Sequence, residues 1–184
     1  MNKKVEILKV DFSQYPKVKQ RKIDQEIAKN DELRKDIEKK PYELVTSTVL
    51  TVTFKFKGKE YGRSTLIEAG WTYNYANIPW FVEPLSYDKH SPYMKVPSLA
   101  HDRVLDFRFQ LWEEWELEKI FGSANYFRIF TSNLFEYLCI YSGVPEGKAE
   151  RMAFCVDTFQ KCTLEWIFFN RYYKKYLEDK EKNG

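Results

Sequence analysis

Three features of the sequence predict an α+β fold. Residues 42 to 68 alternate apolar and polar side chains at a period of two, residues 97 onward repeat apolar positions every three to four, and a stretch rich in Gly, Pro, Asn and Tyr separates them. The expected architecture is a small antiparallel β hairpin or meander packed on a carboxy-terminal layer of about four helices, with a charged helical amino-terminal segment in front. This divides the chain into a segment over residues 1–41, a single α+β domain over 42–177 and a frayed tail over 178–184.

Residues 17–40 place Val18, Ile23, Ile27, Leu33 and Ile37 among Lys, Glu and Asp, which predicts one or two short amphipathic helices broken near Asn30-Asp31 and ended by Pro41. From Tyr42 to Phe56 the chain is dense in Val, Thr and Phe, with Val52, Phe54 and Phe56 alternating against Thr51, Thr53 and Lys55, as a half-buried strand requires. Lys57-Gly58-Lys59 is a turn, and Glu60 to Glu68 returns as the partner strand of a hairpin that ends at Gly70. Between Gly70 and Pro97 the prolines at 79, 84, 92 and 97 each disfavour helix at the residue before them. Trp71, Trp80, Phe81, Tyr87 and Tyr93 make this a long loop that packs against something.

Pro97 suits a first helical turn, and the apolar run to Leu111 carries His101 and Asp102. Trp112 to Phe121 reads as a second helix with an acidic face of Glu113, Glu114, Glu116 and Glu118. After Gly122-Ser123 a third helix spans Asn125 to Tyr141, with Phe127, Phe130, Leu134, Leu138 and Tyr141 at helical spacing, and Ser142-Gly143-Val144-Pro145 stops it. The last helix runs from Glu146 to about Leu177 with Met152, Cys155, Phe159, Cys162, Trp166 and Phe169 on one stripe.

The composition excludes several classes. Of 184 residues 43% are hydrophobic and 17% aromatic, enough for a core and incompatible with wholesale disorder. With 7 Gly and no GxxxxGK[ST] or GxGxxG, neither common nucleotide-binding loop is present. The net charge of +3 is too small for a dedicated duplex-DNA binder, but it is uneven: residues 1–40 hold 12 basic and 8 acidic side chains, and residues 41–184 hold 18 and 19. Cys139, Cys155 and Cys162 lie in apolar helical pattern, lack a CxxC, and read as small hydrophobes in a reducing compartment without a disulfide. No run approaches the roughly 18 apolar residues of a membrane span, so a cytoplasmic protein with no membrane partner is expected.

Adjacent His101-Asp102 is the sharpest chemical feature, because an imidazole and a carboxylate near the start of one helix can ligate one cation or act as base and orienter. Asp106 lies one helical turn later, and Asp88 and His90 sit on the long loop that could fold over them. His101, Asp102, Asp106 and His90 could thus hold a divalent metal; the alternative is that His101 and Asp102 brace the junction of loop and helix. No other cofactor is expected. A nucleophilic site lacks a GxSxG motif, and the acidic run from Glu113 to Glu118 reads as a solvated face rather than a glycosidase pair.

Three elements carry a resemblance. The first is Gly70-Trp71-Thr72-Tyr73-Asn74-Tyr75-Ala76-Asn77-Ile78-Pro79 followed by Trp80, the second Leu99-Ala100-His101-Asp102-Arg103-Val104-Leu105, and the third a helix opening at Ala124-Asn125 and closing at Gly143-Val144-Pro145. In this order and spacing, residues 42 to 165 resemble a family of uncharacterised tailed-phage and prophage proteins, domain of unknown function family 1353. Its pattern has Asp where this chain has Asn74 and Asn125, and Ser where it has Asn77. An amide keeps the shape of a carboxyl but supplies neither its charge nor its basicity.

The resemblance implies a phage or prophage origin and a bacterial host cytoplasm. With the aspartates replaced, it leans away from an enzyme and toward an accessory protein that binds a host protein or ribonucleoprotein, with RNA contact open, to blunt a defence such as a CRISPR nuclease. The candidate binding residues are Asn74, Asn77, Trp80, His101, Asp102 and Asn125, with Lys17, Lys19, Arg21 and Lys22 in the basic arm. Two other expectations stand beside it: a metal-assisted hydrolase of phosphoesters or cell-wall material using His101 and Asp102, and a role in virion morphogenesis or lysis.

Overall fold

The computed structural model describes residues 5–74, 92–162 and, in the carboxy-terminal segment, 175, 176, 178, 179, 181 and 182. Two small antiparallel sheets of three strands fill the amino-terminal half, and five helices follow. The larger sheet has the order β1 (Val5–Phe12), β4 (Thr48–Phe56), β5 (Lys59–Ile67), and the smaller has β2 (Val18–Gln20), β3 (Tyr42–Leu44), β6 (Thr72–Tyr73). The predicted hairpin is β4–β5, with Phe56 opposite Lys59 and Lys57-Gly58 between them. Both turn residues have positive φ, 49° and 80°, the backbone twist that a two-residue loop needs between right-twisted strands.

The amino-terminal segment corrects the expectation of helix. Val5–Phe12 pairs with β4 along its whole length, with a bulge between Ile7 and Lys9, and buries Val5 and Val10. Residues Val18–Gln20 pair with β3, so Lys17, Lys19, Arg21 and Lys22 belong to an edge strand and its flanks. Helix is confined to a 3-10 turn over Ile27–Lys29 and α1 (Asp31–Lys39), which meet at Asn30 where the sequence predicts a break; the Asn30 side chain accepts from the Leu33 N–H at 3.1 Å, and within α1 only Ile37 is buried. The charged residues of Val5–Phe12 occupy the outer face of an edge strand, where alternation of faces lets Lys and Glu stay wet.

The carboxy-terminal half comprises α2 (Lys95–Asp106), α3 (Arg108–Glu114), α4 (Leu117–Phe121), α5 (Ala124–Tyr141) and α6 (Glu146–Cys162). Pro97 is the third residue of α2, where its missing N–H costs no helical bond. The expected helix over Trp112 to Phe121 is broken at Trp115-Glu116. Its cause is β5: the Trp115 indole donates to the Ser64 carbonyl at 2.9 Å, and the Trp115 carbonyl accepts from Arg63 Nε at 2.8 Å. Glu116 then turns through a left-handed φ of 52°. The expected continuation of the last helix to residue 177 falls on residues outside those described.

The inner face of the larger sheet meets α4 and α5 through aromatic rings. Phe54 lies 5.0 Å from Phe130 and 5.6 Å from Phe121, and Phe56 meets Phe121 edge-on at 5.2 Å. Helix α5 in turn packs on β1, α2 and α6. Among the described residues no helix is long and apolar enough to cross a membrane.

Phe54 is fully buried among three other rings, so Phe54→Ala is expected to lower the unfolding free energy by about 3–5 kcal/mol in a urea titration. Leu66→Ala, on the outer face at 47% exposure, is the control and should change it by less than about 0.5 kcal/mol.

Candidate functional site

Helix α5 turns one face to the sheet and another to α2 and α6. On that second face Arg128, Thr131 and Ser132 follow at spacings of three and four, all buried. Facing them are Asp157 and Gln160 of α6 and His101 of α2. The result is a polar seam through an otherwise apolar interface. Arg128 is 4% exposed and forms an ion pair with Asp157, which also holds Lys161 at 3.2 Å. Thr131 donates to the Arg128 carbonyl at 2.8 Å and lies 3.4 Å from Gln160 Oε1. The Gln160 amide Nε2 then lies 3.1 Å from His101 Nε2.

This arrangement fixes the histidine. Gln160 closes on His101 Nε2, and His101 Nδ1 stands 3.5 Å from Asp102 Oδ1, so both ring nitrogens face protein groups. Phe135 closes on the ring edge-on at 5.4 Å. Burial pushes the Asp102 carboxyl above the usual carboxylate range; His101 and Lys40 offset this in part, and Asp106 adds to it.

The structure brings some of the sequence-predicted residues together. His101 and Asp102 are in contact, and Asn125 enters the far end of the same seam, its Oδ1 accepting from Arg128 Nη2 at 2.8 Å. Asp106 is exposed at the end of α2, and Asn74 is half-buried beyond β6. Asn77, Trp80 and His90, with Asp88, lie outside the described residues. Among the described residues, no three His, Cys, Asp or Glu side chains are placed to hold a metal. In the basic arm, Lys19 pairs with Glu43 at 3.0 Å and Arg21 with Asp36 at 2.8 Å, whereas Lys17 and Lys22 are exposed. Cys139 and Cys155 carry free thiols, both pushed up by burial.

Sequence reasoning missed Arg128, Thr131, Ser132, Asp157 and Gln160. The signal was present: polar residues at positions 128, 131 and 132 interrupt the stripe of Phe127, Phe130 and Leu134. It also missed Arg103. One residue beyond Asp102, Arg103 enters a cleft of about 680 Å³ between the end of β5 with its following turn, Glu68 to Trp71, and Phe107, Gln110 and Glu114. Its guanidinium carbon stands 3.5 Å from the centre of the Phe107 ring, and Nη2 donates to Thr65 Oγ1 at 3.2 Å.

No protein-family model, curated protein or solved structure matches this chain.

Two outcomes follow from the seam. The Asp102 carboxyl is raised in the fold, so ionising it opposes folding: stability is greatest below the unfolded carboxylate range and falls as pH rises through the folded value. Asp102→Asn is therefore expected to melt higher than the parent at pH 7, with the difference shrinking in acid, as thermal scans across pH would read. Asp157→Ala leaves Arg128 buried without its carboxylate and is expected to cost about 3–5 kcal/mol in chemical denaturation.

Proposed function

We propose that the protein is a phage- or prophage-encoded accessory protein that acts by binding a host protein, most simply as a counter-defence inhibitor directed at a CRISPR nuclease or a comparable machine. The observation that carries this reading is the enclosure of His101. It is 6% exposed, and both ring nitrogens face protein groups, Asp102 and Gln160. A metal on Nε2 would have to displace Gln160. Asp102 is a poor partner for a hard cation while burial favours its neutral form. The His-Asp pair thus serves helix packing, which favours binding over metal-assisted hydrolysis.

A protein partner is favoured over RNA because two of the four basic-arm side chains, Lys19 and Arg21, and the nearby Lys9 are paired with carboxylates of the same chain, leaving Lys17 and Lys22 exposed. Lys9 pairs with Asp11 at 2.7 Å, Lys19 with Glu43, and Arg21 with Asp36. Side chains already neutralised by neighbouring carboxylates release few counterions on meeting a polyanion. The phage context rests on the resemblance in the Gly70, His101 and Ala124 elements.

Deleting residues 1–40 would not test this reading, because β1 supplies Val5 and Val10 to the core. The better experiment is capture of host proteins by the tagged full chain from cells, with and without nuclease, using Asp102→Asn beside the parent. One host protein is expected to be enriched, to survive nuclease, and to be retained by Asp102→Asn. Divalent metal uptake and hydrolysis that Asp102→Asn abolishes would overturn the reading in favour of the hydrolase, and copurification with virions alone would replace it with a morphogenetic role.

A further inference from the structure

The cleft at Arg103 holds charges of both signs in prepared positions. The guanidinium is fixed by the Phe107 ring below and the Thr65 hydroxyl at Nη2. Its Nε is buried without a hydrogen-bond partner, and among the described residues Arg103 forms no ion pair. Glu68 and Glu114 line the same cleft without neutralising it by contact, and Gln110 Nε2 donates to Glu114 Oε1, which holds that carboxylate in place. Burial lowers the affinity of Arg103 for its proton, and the fields of Glu114, Glu68 and Asp106 oppose that, so the group stays cationic.

Such a site discriminates by charge pattern. A polyanion meets two carboxylates for one guanidinium, and a lone cation meets Arg103. A ligand with one charge of each sign, a side chain's length apart, satisfies both. The volume of about 680 Å³ is in the range of ligand pockets and exceeds what one side chain fills. We propose that the cleft binds a short peptide segment in which an acidic residue stands beside a basic one, its carboxylate pairing with Arg103 and its cation lying between Glu68 and Glu114. The choice of a peptide rests on the protein-binding reading above. Because Arg103 and Glu114 are already positioned, little side-chain ordering accompanies binding.

The test is an NMR titration of the full chain with aspartyl-lysine blocked at both ends, following the Arg103 Nε–H and the Trp71 indole. Asparaginyl-lysine and aspartyl-methionine, blocked in the same way, each lack one charge. Saturable shifts with aspartyl-lysine are expected, with affinity for either control weaker by roughly tenfold. Arg103→Met, which keeps an apolar stem on Phe107, should abolish them, and Glu68→Gln, at an exposed position, should weaken binding with the fold intact even where Arg103→Met does not fold. Equal shifts with asparaginyl-lysine, undiminished binding by Glu68→Gln, or no shift at about 10 mM ligand would overturn the assignment. The two readings fail separately. A host protein captured equally by the parent and Glu68→Gln removes the cleft from the interface and leaves protein binding standing; a positive titration with no captured protein does the reverse.

Discussion

Helix α5 is held in place by the contact of Phe130 with Phe54, and the positions of the other elements follow from it. Phe54 is on the middle strand of the larger sheet, and Phe130 is on the longest described helix. Ring-on-ring packing at 5.0 Å, joined by Phe121 and Phe127, leaves little freedom to slide or rotate the helix on the sheet. At the other side of β4, the Val5 carbonyl of β1 accepts from the Asn133 side chain, which ties the first strand to the same helix. With its aromatic face committed to the sheet, α5 must present Arg128, Thr131 and Ser132 to α2 and α6. Those helices answer with the partners that buried polar groups need, and that requirement determines where His101 lies.

Helix α2 uses three consecutive residues for different purposes. Successive side chains on a helix diverge by about 100°, so His101 reaches into the seam, Asp102 stands beside it, and Arg103 faces the cleft against β5. The seam and the cleft are therefore mechanically linked through one turn. The seam is internally paired, consistent with a role in fixing which helices meet. Arg103, in contrast, lines an open cleft and is held there by Phe107 and Thr65 with no carboxylate of the described residues in contact, the asymmetry on which the proposed recognition face of α2 rests.

Legibility in the sequence tracked how local the physics was. The β4–β5 hairpin could be read because alternation and Lys57-Gly58 are short-range signals, and α5 because Phe127, Phe130, Leu134 and Leu138 repeat at helical spacing within one segment. The first strand could not. Val5–Phe12 is a strand because β4 offers it an edge 38 or more residues away, while its own run of five apolar residues, interrupted by Glu6, Lys9 and Asp11 and bulged between Ile7 and Lys9, lacks strict alternation. The break at Trp115 was equally hidden, since it depends on hydrogen bonds to Arg63 and Ser64 about fifty residues earlier. At the site, the His101-Asp102 contact follows from adjacency, but the partner that closes Nε2, Gln160, is 59 positions distant.

Those distant partners also change what the conspicuous residues mean. A histidine next to an aspartate invites a catalytic reading when only neighbours in sequence are considered. With Gln160 closing Nε2 and burial favouring the neutral form of Asp102, the reading proposed above takes the same dipeptide as a brace. The basic arm undergoes a similar revision, since Lys19 and Arg21 are matched by Glu43 and Asp36 as soon as β2, β3 and α1 are assembled. Folding thus pairs His101, Lys19 and Arg21 within the chain and leaves Lys17 and Lys22 exposed. At Arg103 the fold has partly desolvated a permanent cation without giving it a carboxylate in contact, an arrangement that a complementary ligand would complete.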